Sequence, residues 1–454
     1  MSKEVNDCFF HEVVDAYELK NLYKVNPKSF NIDSLSLKNY YCYLKILDRA
    51  DNGGGYSFSQ RDRLFKEQLN YWYSVFYEIK PDAIVFSNLP HLLYDFPMYL
   101  IAKKLGIKTL MFNVMPFKGW YYLTQSLFPD DNLSNLFERR TIDSETLGKF
   151  KEQSVYPYDN RTYFTPHYMK KQFDNDKKNK FLPKIKKVVR PAFVKSGFLK
   201  EIKQINMRNS WKHNAFNYYG ASGLFSSLYY SKLSADFKKN LIQNHLNNTL
   251  KTEQADEISS GKYVYVPLHY QPEATTAPLG GYFSDQIYML EKLRAALPED
   301  VSIIVKEHYT QFSDSFFGPK GRYLSYWDKI NKLENTYIVP TDYDSRKLIL
   351  NSLAVATVTG TAGWEAIQFN KHCIIFGTPW YESYPGLIRY DENFAYNLEK
   401  VLDNIEPVDY VEEFLLSLSS SLVYTDLHSI TDGEVPKNIN IVVDVIDEFC
   451  DLNK

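Results

Sequence analysis

Cysteine is scarce in this sequence. Four cysteines occur in 454 residues, and they are scattered: Cys8, Cys42, Cys373 and Cys450. Zinc sites and disulfide-rich folds place their cysteines at short, regular spacings, and no such spacing occurs here. The sequence therefore excludes a cysteine-based metal site and a disulfide framework, and it favours a reducing cytoplasm.

Long apolar runs and a strong net charge are also missing. No apolar run approaches the ~18 residues that indicate a transmembrane helix, and no signal peptide is recognisable. The formal net charge of −2 gives no support to nucleic-acid binding. No metal-binding motif occurs either. We therefore expect a cytoplasmic protein, soluble or peripheral to the inner face of the cytoplasmic membrane, that needs no metal or other cofactor.

The stretch 354–381 is the one around which the chain is organised. Apolar residues at 353–356 predict a buried parallel strand, and 359–363 is a loop of small residues. A helix containing Glu365 follows, and 373–376 predicts the next strand. Strand, small-residue loop, helix and strand form a βαβ unit.

The loop of this unit favours a nucleotide-phosphate site. Gly360 and Gly363 let the backbone approach a ligand, and the helix N-terminus offers free amides to an anion. Thr359 and Thr361 add hydroxyl donors, and Glu365 is close enough to accept a hydrogen bond from a sugar hydroxyl. The alternative is a turn and a helix N-cap without any ligand.

Another βαβ unit is predicted over 81–113. The loop 87–91 follows its first strand, 83–86, and the carboxyl ends of parallel strands are where α/β proteins bind ligands. His91 and Asp95 are therefore candidates for acid–base catalysis. A histidine in a loop can equally be solvated or structural, and that alternative stays open for His91.

Strand and helix patterns resume after a polar linker predicted over 251–261, which we take as a domain boundary. Strands are predicted at 263–268, 301–305 and 337–340, and a helix at 345–351 leads into the unit around Gly360. This alternation predicts a second doubly wound domain. Two such domains facing each other across a central cleft form an α/β fold of the GT-B type.

Polar residues follow two of these strands. His269 and Glu273 lie in the loop after the first strand, and Lys306 and His308 directly follow the second. A cation and an imidazole at a strand end suit a phosphate. Glu273 is a candidate for three roles: orienting a nucleotide-linked donor, accepting a proton from the acceptor molecule that reacts with this donor, or bracing His269 or Lys306. The alternative is that Glu273 caps the following turn.

Two other segments each permit two interpretations. Aromatic residues in the loop predicted at 113–122 either stack on a sugar ring or pack in the core. The stretch 177–212 is rich in lysine and arginine with apolar residues between them. It either lies on anionic lipid headgroups or forms a solvated, partly helical excursion.

Three segments, in this order, carry a resemblance to a known family: PLHYQPEATTAPLGG, IIVKEHYTQF and TGTAGWEAIQFNKHCIIFGTPWY. They resemble the capsule polysaccharide biosynthesis family of bacterial glycosyltransferases. That family includes transferases of Kdo (3-deoxy-D-manno-oct-2-ulosonic acid) that act on capsule or lipid acceptors. The resemblance covers 260–395 well and 81–122 more loosely.

The resemblance implies roles for individual residues. His308 corresponds to the histidine of the family's His-Pro motif, which contacts the donor phosphate, although a tyrosine replaces the proline here. Thr359, Gly360 and Thr361 match the small-residue phosphate loop, and Glu365 matches the acidic residue behind it. The Glu-Asp-Gly segment that carries the catalytic acid in the Kdo-transferring branch is absent from this sequence.

We therefore predict a glycosyltransferase of bacterial capsular or lipopolysaccharide biosynthesis. Its donor is expected to be Kdo or a related acidic sugar activated by CMP, and its acceptor a glycan or a lipid-linked glycan. The predicted nucleotide-sugar-binding residues are His269, Lys306, His308, Thr359, Gly360, Thr361, Gly363 and Glu365. The predicted catalytic candidates are Glu273, Asp95 and His91. A sugar-nucleotide 2-epimerase or hydrolase, and a non-catalytic glycan-assembly subunit, stay open as alternatives.

The predicted domain boundaries follow from these assignments. An N-terminal, acceptor-side Rossmann-like domain spans 1–250 and includes the basic excursion at 177–212. A C-terminal, nucleotide-sugar-binding Rossmann-like domain spans 251–405. Helices in 406–454 are expected to pack back on the N-terminal domain.

Overall fold

The structure is a computed structural model that describes residues 26–50, 57–128, 142–155, 224–313, 318–403, 406–425 and 439–451. The basic stretch predicted at 177–212 lies outside these residues, so its contact with a membrane stays a prediction. No helix within the described ranges combines the length and the apolarity needed to cross a bilayer.

In chain order, the strands of the described residues are β1 (Ala83–Phe86), β2 (Lys108–Val114), β3 (Trp120–Thr124), β4 (Tyr263–Pro267), β5 (Ser302–Lys306), β6 (Thr336–Val339), β7 (Ala354–Thr357), β8 (His372–Ile375), β9 (Ile388–Arg389) and β10 (Leu422–Tyr424). The helices are α1 (Leu37–Ala50), α2 (Phe58–Ile79), α3 (Asp95–Lys104), α4 (Ser144–Ser154), α5 (Leu224–Asn248), α6 (Thr252–Ile258), α7 (Thr276–Leu279), α8 (Gln286–Ala296), α9 (Tyr326–Asn331), α10 (Ser345–Asn351), α11 (Thr361–Gln368), α12 (Phe394–Leu402), α13 (Val411–Leu418) and α14 (Ile439–Asp451).

The first sheet has the order β1-β2-β3-β10. β1 and β2 are parallel, with Ala83 opposite Lys108 and α3 between them in the chain, which confirms the predicted βαβ unit. β3 runs antiparallel to both β2 and β10, so the sheet is mixed rather than uniformly parallel. The segment 113–122 was expected to be a loop, but it contains a hairpin that turns at Gly119, where φ is +81°. Its aromatic residues favour the pleated strand that follows.

Both faces of the first sheet are covered by apolar side chains. Trp72 of α2 and Phe96 and Tyr99 of α3 belong to the core cluster on one side. Val445 and Phe449 of α14 belong to the cluster that contains the side chains of β2 and β3. The C-terminal part of the chain therefore contributes a strand and a helix to the first sheet.

The second sheet has the order β6-β5-β4-β7-β8-β9, and all its strands are parallel. The chain moves from β4 outward to β6, then crosses over to β7 and moves outward in the opposite direction. The strand order therefore reverses between β4 and β7. The loops after these two strands diverge there and leave a crevice, which is the usual ligand site of a doubly wound sheet.

The segment 251–261, predicted as a polar linker, contains the helix α6 instead. Gln254 accepts a hydrogen bond from the Lys251 amide at 3.0 Å and so caps the start of this helix. Ala255 and Ile258 pack in the cluster beneath β4 and β5, which also contains Tyr343. Most of the other residues of α6 are polar or charged, so composition alone does not reveal so short a helix.

An aromatic cluster joins the two sheets at one end of the cleft. Its members are Phe117, Trp120, Phe150, Trp364, Trp380, Tyr381, Tyr384 and Phe414. The indole of Trp364 on α11 also donates to the carbonyl of Ser154 at the end of α4, at 2.8 Å. The two halves are thereby held with the loops after β1 and β2 facing those after β4, β5 and β7. This two-sheet α/β architecture is of the GT-B type, as predicted.

Candidate active site

A cavity of about 520 Å³ lies between the two sheets. It is lined from the first sheet by Asn88, Leu89, His91, Asn113, Met115 and Tyr122, among others, and from the second by the loops after β4, β5 and β7. The predicted site residues that line it are His91, His269, Glu273, Lys306, His308, Thr359, Gly360, Thr361 and Glu365. Asp95 and Gly363 do not line it.

The N-terminus of α11 forms one wall of the cavity. Gly360 is its N-cap residue and provides no capping side chain, so the amides of Thr361 and Ala362 are left to bind a ligand, whereas the Gly363 amide donates to the Gly360 carbonyl at 3.2 Å. The side chain of Thr359 is 7 % exposed, and its Oγ1 has no hydrogen-bonding partner among the described residues. A Cβ at position 360 would lie 2.8 Å from Oγ1 of Thr357, which is why glycine is required there. Unpaired donors at a helix N-terminus suit an anion.

His269 fixes the conformation of this loop. Its Nε2 accepts a hydrogen bond from the Thr359 amide at 3.2 Å and also contacts Oγ1 of Thr357 at 3.1 Å. Because an amide can only donate, Nε2 carries no proton, and Nδ1–H donates to Oε1 of Glu273 at 3.0 Å. Both ring nitrogens are thus occupied by the protein. His269 therefore positions the loop, and Glu273 braces His269, one of the three roles considered for that carboxylate.

A buried ion pair supports the same region from behind. Both carboxylate oxygens of Glu307 accept from Arg322, each at 2.9 Å, and Trp327 donates to the same carboxylate at 3.2 Å. Arg322 also donates to the carbonyl of His269 at 2.9 Å. The pair therefore ties the end of β5 to the end of β4. No sequence pattern singles out Glu307 or Arg322, because their pairing depends on a contact across 15 residues that follows no motif.

Lys306 and Glu365 are charged residues that line the cavity together with the loop after β7. Nζ of Lys306 donates to Oγ of Ser345 at 2.7 Å and to the Tyr343 carbonyl. Burial lowers the pKa of Lys306 to about 8, against the attraction of nearby carboxylates that include Glu365. Burial raises the pKa of Glu365 to about 7, although Arg346 and Lys306 act in the opposite direction. Both groups therefore change charge near neutral pH.

His308 presents a hydrogen-bond donor to the cavity. Its Nδ1 accepts from the amide of Thr310 at 3.3 Å, which leaves the ring proton on Nε2. Burial lowers the pKa of His308 to about 4, so the ring is neutral at physiological pH. Tyr309 stacks on the ring at a centroid distance of 5.2 Å and fixes its plane. A neutral imidazole with Nε2–H can stabilise negative charge on a ligand oxygen.

His91, on the opposite side of the cavity, has the other tautomer. Its Nδ1 lies 2.6 Å from the carbonyl oxygen of Leu89, so Nδ1 must carry the proton and Nε2 has a free lone pair. Burial lowers the pKa of His91, and the adjacent Arg49, which donates to the His91 carbonyl, lowers it further. A neutral imidazole with an unprotonated Nε2 is a Brønsted base.

The sequence profile of the family described as capsule polysaccharide biosynthesis protein matches residues 177–403, which is half of the chain. This chain belongs to that family. The match includes every cavity residue contributed by the second sheet, whereas His91 lies outside it. A search of curated proteins found no match to the sequence.

Solved structures provide a distant likeness. The β-Kdo 2,7-transferase KpsC of Thermosulfurimonas dismutans is 16 % identical over 47 % of this chain and 66 % of its own, with a TM-score of 0.25. This chain therefore spans slightly less than two thirds of that chain. The structure of Staphylococcus aureus MnaA with UDP is 10 % identical over 85 % of this chain and 88 % of its own, with a TM-score of 0.25. The Methanocaldococcus jannaschii UDP-GlcNAc 2-epimerase, in complex with UDP-GlcNAc and UDP, is 14 % identical over 82 % and 81 %, again at 0.25.

Two predicted site residues of this family member have other contacts. The carboxylate of Asp95 accepts from the Leu92 amide at 2.5 Å at the start of α3, and burial raises the pKa of Asp95 to about 7. Gly363 packs against Tyr381, because a Cβ there would lie 2.2 Å from the phenol oxygen. Their assigned roles in catalysis and nucleotide binding stay predictions. Among the described residues, no three histidine, cysteine or acidic side chains are grouped so as to hold a metal ion.

Proposed function

We propose that this protein is a glycosyltransferase of capsular polysaccharide biosynthesis that takes a sugar from a nucleotide donor bound in the cleft. The observation that carries the proposal is the set of anion-binding groups beside the strand-order reversal. The first turn of α11, Nζ of Lys306 and Nε2–H of His308 all border the same cavity. A sugar phosphate is a ligand that requires such groups.

These groups act on the leaving phosphate. As the bond between the sugar and the phosphate oxygen breaks, negative charge grows on that oxygen. Backbone amides, an ammonium and an imidazole N–H that are already oriented stabilise this charge without reorganisation. Each charge-assisted hydrogen bond contributes about 1.5–3 kcal/mol. We further propose that the transfer needs no metal ion, because these groups supply the positive charge; activity in the presence of EDTA tests this.

His91 is proposed as the base. Its Nε2 takes the proton of the acceptor hydroxyl, the acceptor oxygen bonds to the anomeric carbon, and the bond from that carbon to the phosphate oxygen breaks. The electron pair of that bond leaves with the nucleotide. Glu273 is unsuited to the role because its carboxylate already accepts from His269. A single displacement of this kind inverts the anomeric configuration, which the product's NMR coupling constants test.

The donor is proposed to be CMP-linked Kdo or a related acidic sugar. Within the described residues, Lys306 is the one lysine that lines the cavity, and no arginine does. CMP-Kdo carries one phosphate and one carboxylate charge and a UDP-sugar carries two phosphate charges, so this single ammonium does not decide between them, and CMP is proposed from the family resemblance. The acidic sugar itself is proposed from the family resemblance.

Calorimetry with CMP, UMP, UDP, GDP and ADP tests the proposal. We expect CMP to bind, and we expect CMP-Kdo to be consumed only when a glycan acceptor is present. Binding of no nucleotide would instead support a non-catalytic assembly subunit. Turnover of UDP-GlcNAc without an acceptor would support an epimerase or hydrolase. Either result would overturn the assignment.

A further inference from the structure

The side of the cavity formed by the first sheet has no formally charged side chain among the described residues. It comprises cavity-lining residues within 88–91 and 113–116, together with Tyr122, and is called the neutral bank here. The charged side chains that line the cavity, Glu273, Lys306, Glu307 and Glu365, all come from the second sheet. His91 is neutral, and burial raises the pKa of Tyr122, which keeps its phenol uncharged.

Two buried polar atoms have no partner among the described residues and belong to residues that line the cavity: Oδ1 of Asn113, in the neutral bank, and Nε1 of Trp380, which follows the second sheet and lies next to that bank. Asn113 is 3 % exposed. Its side-chain Nδ2 donates to Oγ1 of Thr124 at 2.7 Å, which leaves the side-chain oxygen Oδ1 without a hydrogen-bond donor. Trp380 packs edge-on against Phe117 at 5.6 Å, which brings its indole to the β2–β3 hairpin. The residues that carry one unpaired acceptor and one unpaired donor therefore line the same cavity.

We propose that the neutral bank binds an uncharged sugar residue of the acceptor glycan. Calling this ligand the acceptor rests on the proposed glycosyl transfer. A pyranose has hydroxyl groups that both donate and accept, which matches the two unpaired atoms, and C–H faces that match Leu89, Met115 and Pro116. A carboxylate or phosphate would lose its hydration there without direct contact with a cation, because Arg49 donates to the His91 carbonyl but does not line the cavity, and this disfavours an acidic sugar or a lipid phosphate.

The position of His91 fits this ligand. Its unprotonated Nε2 belongs to the same bank, so a hydroxyl of a sugar bound there lies beside the base. The anion-binding groups of α11 and His308 lie across the cavity. The donor and the acceptor are thereby separated by charge, with the phosphate on the second sheet and the uncharged sugar on the first.

Saturation-transfer NMR titrations of the full chain test this proposal with two glycosides that differ in one group. Methyl β-glucoside carries CH2OH where methyl β-glucuronide carries a carboxylate; methyl β-galactoside and methyl β-N-acetylglucosaminide extend the neutral set. We expect at least one neutral glycoside to bind and the glucuronide to bind about tenfold more weakly. Equal or tighter binding of the glucuronide overturns the proposal, as does binding of none of these probes.

Matched variants show whether the sugar binds at this bank. Trp380→Phe removes the indole N–H and keeps a ring, and we expect it to weaken neutral glycoside binding about three- to tenfold. Trp120→Phe is its control, because Nε1 of Trp120 is equally unpaired among the described residues but Trp120 does not line the cavity. Asn113→Leu should act like Trp380→Phe. Equal effects at positions 380 and 120, or no effect at 380 and 113, overturn the proposal.

Nucleotide binding separates this inference from the proposed function. CMP affinity, measured by calorimetry on the same variants, should stay within about twofold of the wild type, since neither residue belongs to the phosphate groups. If no nucleotide binds but the neutral glycosides bind in a Trp380-dependent way, glycosyl transfer is wrong and the sugar site stands. If CMP binds and the neutral glycosides do not, the sugar site is wrong and the nucleotide site stands.

Discussion

The imidazole of His269 accepts a hydrogen bond from the Thr359 amide through Nε2, at 3.2 Å, and donates one to the Glu273 carboxylate through Nδ1, at 3.0 Å. A residue of the β4 loop therefore sets the backbone of the β7 loop, across the point where the strand order reverses. The ring does not need to touch the donor to control how the donor binds.

Replacing Glu273 distinguishes a positioning role from a catalytic one. A glutamine at position 273 could still accept from Nδ1–H of His269, so Glu273→Gln should keep kcat, whereas Glu273→Ala should weaken donor affinity roughly tenfold by leaving His269 unbraced. A general base would instead lose about two to four orders of magnitude in kcat as glutamine. Steady-state kinetics and donor calorimetry on both variants decide. A large loss of kcat with unchanged donor affinity in Glu273→Gln would identify Glu273, rather than His91, as the general base.

Replacing His308 should weaken the stabilisation of negative charge on the leaving phosphate. His308→Ala loses the Nε2–H donor, and we expect a loss of about 1.5–3 kcal/mol in kcat/KM, roughly 10- to 150-fold. The melting temperature should be measured alongside, because the ring packs between Tyr270 and Tyr309. Normal turnover by a folded His308→Ala protein would remove the residue from the site.

The pH profile tests His91 as the base. Because its pKa is lowered, Nε2 stays unprotonated down to a pH below the ordinary histidine value of about 6.5. Activity should therefore be flat from about pH 6.5 upward as far as His91 is concerned, and fall only at more acid pH, as the ring is protonated. His91→Gln should lower kcat by about 10²–10⁴ and abolish that acid limb. An acid limb that persists in His91→Gln would assign it to another group.

Glu365 should make stability depend on pH. Its pKa is raised to about 7 from the ordinary 4.5, so the folded state holds the proton more tightly than the unfolded state does. Its contribution to stability is therefore complete below about pH 4.5 and is lost as the pH rises through about 7. Glu365→Gln should raise the melting temperature at about pH 8 more than at about pH 5. An equal shift at both pH values would show that burial does not govern this carboxylate.

The Glu307–Arg322 pair should be costly to break singly. Arg322→Met leaves a buried carboxylate without its partner, and we expect a loss of about 3–5 kcal/mol in the free energy of unfolding. The exposed pair Arg63–Glu67 on α2 is the control, since Arg63→Met should cost less than about 1 kcal/mol. Denaturant unfolding of both variants, with Glu307→Gln/Arg322→Met as the double replacement, measures the difference. Similar costs for the two arginines would contradict the assignment.

Periodicity and turn chemistry predict most of the second sheet. Buried parallel strands are short apolar runs, and β4, β5, β6, β7 and β8 lie within a residue or two of their predicted positions. The helix α11 begins at Thr361, so part of the predicted phosphate loop is its first turn. Residues that follow the strand ends in the sequence line one cavity, because the topology brings those ends together.

What the sequence does not reveal depends on contacts between distant residues. The tautomers of His91 and His308 are set by the Leu89 carbonyl and the Thr310 amide, which no pattern specifies. Arg322 lies in no recognisable motif. The strand β3 was missed because it is short and aromatic, and its neighbour β10 lies far away in the chain, as the pairing of Tyr122 with Leu422 shows.

Trp364, a member of the aromatic cluster that joins the two sheets, belongs to α11 itself. The helix whose first turn is proposed to bind the donor phosphate therefore packs, through Trp364 and Trp380, against Phe117 of the β2–β3 hairpin, and the indole of Trp364 is hydrogen-bonded to the Ser154 carbonyl. A donor that displaces α11 by even a fraction of an ångström must push the hairpin that shapes the other bank. We therefore expect the two substrates to be energetically coupled: each can bind alone, and a bound nucleotide sugar should change the affinity of the second substrate.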